Sequence, residues 1–293
     1  MTFYDLPTGY GAVVLWLLGG RRLVPAVGYM GGKRRLAADI GRVLGLRPRQ
    51  RLDRIVLADA GCPGWVWPHL LDRQKASRVA EVLLGWRHER PVELWKRLVE
   101  LPPATDPAVR AAQVLCLQAR AASSCPLIYA AGWRMGDRPR SGRSKEVRHK
   151  ALTMKGKRND RHGGGVRSTV TVAHRVEAIA AALDGLDVTF HHGDLFDVLS
   201  DAGHGDVVYL DPDYVGCTSY GATVPRDRLL ATAEDLRARG ARVAISEAVP
   251  LPLDGWHHVE LTRAGGKSEW LTCSDAPARL PGRVAQLDLW GAA

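Results

Sequence analysis

The chain has 293 residues, of which 46% are hydrophobic and 25% are charged. This ordinary globular composition excludes collagen-like, coiled-coil and wholly disordered proteins, and the length suffices for one large domain or two modest ones. The 41 Lys and Arg residues exceed the 31 Asp and Glu residues, which gives a formal net charge of +10.

The longest apolar run spans residues 11–20, which is far short of the roughly 20 residues that cross a bilayer. Because Arg21 and Arg22 follow this run, the order of charge and apolar residues is wrong for a secretory signal. The run therefore predicts a buried strand or a short helix. The five cysteines are scattered and include no C-x-x-C pair, which argues against a disulfide framework and a thiolate zinc cluster. We expect a cytoplasmic protein with no membrane partner.

The first half of the chain carries mostly helical patterns. Residues 36–44 have helical spacing, and the short apolar run 55–58 predicts a buried strand that enters a glycine-containing turn. Residues 71–117 are mostly helical in pattern, with breaks at prolines. One of these helices is expected to begin at Asp106-Pro107, with Asp as the N-cap and Pro in the first turn.

Positive charge is concentrated between Ala130 and Val170, where twelve Lys and Arg residues accompany three acidic residues. This segment has a net charge of +9, so the rest of the chain is nearly neutral at +1. Such an insert suggests a polyanionic partner more than a uniformly basic surface would. Because it holds three consecutive glycines and few large apolar residues, a solvated loop that becomes ordered on its partner fits equally well.

Strand and helix patterns alternate after residue 170. Helices are predicted at 172–183 and 226–239, strands at 188–192, 207–210 and 242–246, and a closing antiparallel pair at 256–262 and 269–273. This alternation predicts an α/β domain with a largely parallel sheet, in which ligands bind beyond the carboxyl ends of the strands. Adjacent strand residues point to opposite faces, so neither His191-His192 nor His257-His258 predicts a metal site.

Three motifs carry candidate chemistry: one lies near the N-terminus, and two follow predicted strands. They are Gly28-Tyr29-Met30-Gly31-Gly32-Lys33, Asp59-x-Gly61-x-x-Gly64 and Asp211-Pro212-Asp213-Tyr214. In this order the sequence resembles the Dam-type adenine-N6 DNA methyltransferases, whose members show Y-x-G-G-K, a glycine-rich AdoMet turn, a target-recognition segment and D-P-P-Y. The resemblance covers roughly residues 27–274 and is greatest to the branch found in phages and high-G+C bacteria.

This resemblance implies a Rossmann-like AdoMet-dependent methyltransferase fold. Residues 1–85 and 170–293 would form the catalytic domain, and residues 86–169 an inserted helical and basic target-recognition region. The implied reaction is site-specific methylation of the exocyclic N6 amine of adenine in double-stranded DNA, with the base flipped out of the duplex. The implied setting is a nucleoid-associated monomer or weak dimer, as in restriction-modification or phage systems.

The resemblance also assigns roles to residues. The Asp211 carboxylate and the Pro212 carbonyl would accept the two amino hydrogens, drawing the nitrogen lone pair out of conjugation with the ring, while Tyr214 stacks on the base. The residues expected to bind AdoMet are Tyr29, Gly31, Gly32, Lys33, Asp59, Gly61, Gly64, Asp194 and Phe196. Those expected to bind DNA are Arg134, Arg138, Arg143, Arg148, Lys155 and Arg158.

The sequence departs from the family pattern at two positions. Asp213 stands where the family normally has Pro, and Pro63 stands where many members have Gly or Ser. A second carboxylate near Asp211 would alter the electrostatics of the site, and loss of a proline loosens the turn. Two alternatives therefore stay open: a catalytically silent DNA-binding relative, and a methyltransferase acting on RNA or on cytosine N4.

Overall fold

The computed structural model describes residues 1–20, 22–27, 33–120, 126–129, 132–135, 168–212, 214, 224–262, 268–278 and 286–287. The strands are β1 (Thr2–Leu6), β2 (Arg54–Ala58), β3 (Pro126–Tyr129), β4 (Gly132–Met135), β5 (Val188–His191), β6 (Val207–Leu210), β7 (Arg242–Glu247), β8 (His257–Thr262), β9 (Ser268–Cys273) and β10 (Gln286–Leu287). The helices are α1 (Ala12–Gly19), α2 (Ala37–Val43), α3 (Trp67–Leu70), α4 (Arg73–Gly85), α5 (Pro91–Glu100), α6 (Pro107–Arg120), α7 (Thr169–Leu183) and α8 (Arg226–Ala238). In the part of the chain that the structure describes, no helix is both long and apolar enough to cross a membrane.

Within the described ranges, the main sheet has eight strands in the order β10-β8-β9-β7-β6-β1-β2-β5. The adjacent strands β5, β2, β1, β6 and β7 are all parallel. Numbered by their order in the chain, these strands follow the sequence 3-2-1-4-5 across the sheet. This is the strand order of a Rossmann-like, doubly wound fold. Strands β8, β9 and β10 extend the sheet with antiparallel pairs. The predicted α/β class with a mostly parallel sheet is therefore confirmed.

The middle strand of the parallel part of this sheet, β1, is absent from the sequence prediction. Its residues pair with β2 on one side and with β6 on the other, so the strand order reverses beside it. The apolar run 11–20, predicted as a strand or a short helix, forms α1 directly after it. The remaining elements predicted after residue 170 form within one residue of their expected bounds, except that the helix predicted at 172–183 begins three residues earlier, at Thr169.

The two faces of the sheet differ in character near its carboxyl edge. One face packs Tyr4, Leu6, Val208 and Ile245 against the apolar side of α8 in a buried cluster. Because side chains alternate along a strand, Asp5 and Tyr209 belong to the opposite face. The Asp5 carboxyl group and the Tyr209 hydroxyl group therefore lie on that opposite face, and both residues are buried close to the strand ends.

The chain divides into two compact units. The first, with the main sheet, comprises residues 1–24, 33–64 and 185–293, and the second comprises residues 25–32 and 65–184. The predicted insert, residues 86–169, lies inside the second unit, whose limits are wider because α4 packs on both α6 and α7.

The described residues of the second unit are mainly helical, as their sequence predicts. Asp106 accepts hydrogen bonds from the backbone N–H groups of Ala108 and Val109, so it caps α6 in the expected way. The antiparallel pair of β3 and β4 was not predicted. β3 precedes the basic segment and β4 lies at its start, and each strand has only four residues, which gives a weak local signal.

Close packing of α1 on α2 gives the first prediction. A Cβ atom at Gly41 of α2 would lie 2.0 Å from Cζ3 of the buried Trp16 ring of α1. Gly41→Ala is expected to lower the free energy of unfolding by about 1–3 kcal/mol, because the indole cannot move without opening the core. Urea denaturation measures this change.

Gly85→Ala is the matched control, because Gly85 also lies in a helix and a Cβ there meets no atom within 4 Å. This substitution should leave the protein equally stable or stabilise it by up to about 1 kcal/mol, since Gly is the poorer helix former. Equal effects of the two substitutions would show that Gly41 is not needed for the contact with Trp16.

Candidate active site

The point where the strand order reverses lies between β1 and β6. In this pair Asp5 is opposite Tyr209, and the backbone N–H of Asp211 donates to the Leu6 carbonyl at 2.7 Å. In Rossmann-like folds ligands bind in the crevice that opens at this reversal, beyond the carboxyl ends of the strands. Asp211 therefore stands beside the expected ligand crevice, as its motif predicts.

A glycine turn that the sequence analysis did not single out follows β1. Residues 8–11 read Thr-Gly-Tyr-Gly, and the Gly11 N–H donates to the Thr8 carbonyl at 2.8 Å. Gly9 has a φ of 52° and Gly11 a φ of 67°, so both adopt the left-handed conformation that favours glycine. A glycine turn between the first strand and the first helix is the place where Rossmann-like folds bring backbone close to a cofactor.

The predicted cofactor residue Asp59 stabilises this turn. Its Oδ2 accepts the Gly9 N–H at 2.8 Å, and its Oδ1 accepts the Gly61 N–H at 2.7 Å. The side chain is buried. Asp59 thus connects the turn after β1 with the turn after β2, and Gly61 takes part through its backbone N–H.

Gly64 lies close to a histidine ring. A Cβ atom at this position would lie 2.3 Å from Cδ2 of His192, which follows β5. Glycine at position 64 therefore leaves room for the His192 ring. The motif had suggested another reason for this glycine, namely close approach of the backbone to a ligand.

Lys33 and Asp211 lie together. The Lys33 Nζ is 2.6 Å from Oδ1 of Asp211 and 3.2 Å from Oε1 of Glu269 in β9. The same Nζ is 4.8 Å from the centroid of the Tyr214 ring, within range for a cation–π contact. Lys33 was predicted as a cofactor residue and Asp211 and Tyr214 as catalytic residues, so the structure brings members of both groups into one cluster. Glu269 begins one of the two predicted closing strands, and no role in the site was predicted for it.

Asp5 is a further acidic group at this edge. Its Oδ2 accepts the Val14 N–H of α1 at 3.2 Å, and the residue is only 2% exposed. Burial raises the pKa of the Asp5 carboxyl well above its usual value of 3.8, and the negative charges of Asp211 and Asp59 raise it further. The Val14 hydrogen bond and the Lys33 ammonium act in the opposite direction but do not offset burial.

The raised pKa of Asp5 predicts a pH-dependent stability. Because the folded protein binds this proton more tightly than the unfolded chain, the contribution of Asp5 to the free energy of unfolding falls as pH rises from 3.8 towards the native pKa. Asp5→Asn keeps an oxygen for the Val14 N–H and removes the titration. Relative to Asp5→Asn, the wild type should therefore lose up to about 1.4 kcal/mol per pH unit in this window. Urea denaturation from pH 5 to pH 8 measures the difference, and a constant difference would contradict the prediction.

Asp194 and Phe196 lie together after β5, at the edge of the sheet. Asp194 accepts the Phe196 N–H at 3.1 Å and a hydrogen bond from Arg228 at 3.0 Å. The Arg228 guanidinium lies 3.9 Å from the centroid of the Phe196 ring. The structure thus brings these two predicted cofactor residues together, with Arg228 stacked on the ring.

The remaining residues of the predicted site and motifs fall partly outside the described ranges. Tyr29, Gly31, Gly32 and Asp213 lie outside the described residues, as do Arg138, Arg143, Arg148, Lys155 and Arg158. Arg134 belongs to β4. Pro212 is buried and follows Asp211 at the end of β6.

Comparison with known proteins gives a distant likeness. No protein-family model and no curated protein matches the chain. Two solved structures of the rRNA methyltransferase aviRa from Streptomyces viridochromogenes are similar to it, each at 16% identity. One alignment covers 93% of this chain and 76% of the other with a TM-score of 0.32, and the second covers 90% and 92% with a TM-score of 0.34. A likeness this distant assigns neither an activity nor a substrate to the chain.

Proposed function

We propose that this chain is an AdoMet-dependent methyltransferase that methylates the exocyclic N6 amine of adenine in double-stranded DNA. The observation that carries the proposal is the cluster of Asp211, Lys33 and Tyr214 beside the strand reversal. There an N–H donor, the Lys33 ammonium, lies against the Asp211 carboxylate and over the Tyr214 ring. The exocyclic amine of a base stacked on Tyr214 needs the same arrangement of acceptor and ring.

The residues at the carboxyl edge fit a cationic cofactor such as AdoMet. Among the described residues, the carboxyl groups of Asp5, Asp59, Asp211 and Glu269 outnumber the Lys33 ammonium, and this excess of negative charge persists when Asp5 is protonated. The Thr8 hydroxyl is buried and makes no hydrogen bond within the described residues, which leaves it available to a ligand. The left-handed glycines 9 and 11 keep side chains away from the same turn.

The proposed chemistry is positioning and electrostatic stabilisation. AdoMet supplies a methyl group on a sulfonium, and the amine nitrogen displaces that sulfur in line. The Asp211 carboxylate accepts a hydrogen bond from one amino N–H, and the Pro212 carbonyl accepts one from the other. These two hydrogen bonds direct the nitrogen lone pair at the methyl carbon. Asp211 also offsets the positive charge that grows on nitrogen as the new N–C bond forms. The surplus amino proton then leaves to solvent.

Double-stranded DNA is the proposed partner because of the concentrated charge between Ala130 and Val170. A segment with a net charge of +9 matches the phosphate backbone, which dominates the affinity of DNA-binding proteins. Extrusion of the target base costs a few kcal/mol, which stacking on Tyr214 and the hydrogen bonds to its amine offset.

Sequencing of DNA from cells that express the protein, with detection of modified bases, tests this proposal. We expect N6-methyladenine at one short recurrent sequence, in cells that otherwise lack the modification. Unmodified DNA from cells that contain the folded protein would overturn the proposal.

A further inference from the structure

The Lys33 ammonium contacts carboxylates from two different segments of the chain. Lys33 is 4% exposed and Glu269 is 0% exposed, whereas Asp211 is 18% exposed. The more accessible carboxylate is thus the proposed catalytic one, and the fully buried carboxylate is that of Glu269. Burying a carboxylate is costly unless positive charge or hydrogen bonds compensate it, so the nearby Lys33 ammonium stabilises the buried Glu269.

Strand pairing explains how Glu269 reaches this site. Leu271 of β9 is opposite Ser246 of β7, so alternation places Glu269 on the same face of the sheet as Ser246. The Ser246 hydroxyl lies 2.7 Å from the hydroxyl of Tyr209 in β6. Tyr209 is buried and stands two residues before Asp211 in the chain. Glu269 in β9 and Asp211, which directly follows β6, therefore both come within 3.2 Å of the Lys33 ammonium.

We propose that Glu269 is a positioning residue that compensates the charge of Lys33, so that the group retains the negative charge that the reaction needs at Asp211. This inference rests on the proposed function. Lys33 and Asp211 alone form a neutral pair, whose field on a nearby cation is weak. With Glu269 the three charges sum to −1, which favours both the sulfonium and the positive charge developing on the amine nitrogen.

Glu269→Gln is the direct test, because it keeps the size of the side chain and removes its charge. Removal of one unit charge several ångströms from the reacting atoms changes a rate by on the order of tenfold to a hundredfold in a partly buried site. We expect kcat to fall by this factor while KM for DNA changes little. The affinity for AdoMet should fall relative to that for S-adenosylhomocysteine, which has no charge on sulfur.

The double variant K33Q/E269Q separates charge compensation from a structural role. Removal of both charges leaves Asp211 as the sole charge of the group and restores −1, so we expect kcat to exceed that of Glu269→Gln alone. If Glu269 only supported the fold, the second substitution would add to the damage. Glu260→Gln is the control, because Glu260 of the neighbouring β8 pairs with Trp270 and therefore belongs to the other face. Thermal unfolding confirms that each variant is folded.

Unchanged kcat in Glu269→Gln, or additive losses in the double variant, would overturn the inference while leaving the methyltransferase activity intact. A wild-type protein that binds AdoMet but methylates no nucleic acid would instead overturn the proposed function. In that case the ratio of the AdoMet and S-adenosylhomocysteine affinities, measured by calorimetry, still decides the inference. An equal ratio in the wild type and Glu269→Gln contradicts it, and a lower preference for AdoMet in the variant supports it.

Discussion

Asp211→Asn is expected to lower the rate of methyl transfer by on the order of 10²–10³-fold, the usual cost of removing one group that stabilises charge in a transition state. The amide keeps the size of the carboxylate but carries no negative charge to offset the charge growing on the amine. Lys33 keeps its contact with Glu269 at 3.2 Å, so the fold should persist. Single-turnover kinetics with labelled AdoMet measures the rate, and calorimetry with S-adenosylhomocysteine should give the wild-type affinity.

Asp201→Asn is a suitable control, because Asp201 is an exposed carboxylate of the same unit, away from the carboxyl edge of the sheet. Its methyl transfer rate should equal that of the wild type. If Asp211→Asn kept more than about a tenth of the wild-type rate, Asp211 would not be the acceptor that stabilises the transition state.

Gly9→Val is expected to weaken AdoMet binding by on the order of tenfold or more. A β-branched residue in the left-handed conformation costs about 1–3 kcal/mol, and relief of that strain moves the turn after β1. Each 1.4 kcal/mol, roughly, is a factor of ten in affinity. The substitution also disturbs the hydrogen bond from the Gly9 N–H to Asp59, which connects the turns after β1 and β2. Calorimetry with AdoMet measures the effect.

Gly185→Val carries the same kind of backbone strain at a distance from the turn. Gly185 has a φ of 74° and precedes β5, at the amino end of that strand. We expect a comparable loss of stability and an unchanged affinity for AdoMet. Equal affinities in the Gly9 and Gly185 variants would mean that the turn after β1 does not contact the cofactor.

The sequence predicts the elements that carry strong local signals. The uniformly apolar residues 207–210 predict a buried strand, and the structure confirms it as β6 with Asp211 at its carboxyl end. The five-residue β1 gives no such signal, because Asp5 interrupts its apolar pattern. Its central place depends on pairing with two strands far along the chain, which no local pattern reveals.

The candidate site was predicted in part for the same reason. Lys33, Asp59 and Asp211 belong to local motifs, and the resemblance identified each of them. Glu269 and the glycines that follow β1 acquire their roles only through the sheet. A signal for the glycine turn was present, since Thr8-Gly-Tyr-Gly11 directly precedes an apolar run, but interpreting it requires knowledge that a strand precedes it.

The most direct test of the proposed activity is the identity of the methylated product. The wild-type protein would be incubated with labelled AdoMet and duplex DNA, and the DNA digested to nucleosides for mass spectrometry. We predict N6-methyldeoxyadenosine as the labelled product, and its loss with Asp211→Asn. Label in N4-methyldeoxycytidine, label found only when RNA replaces the DNA, or no label in any nucleoside would contradict the proposal.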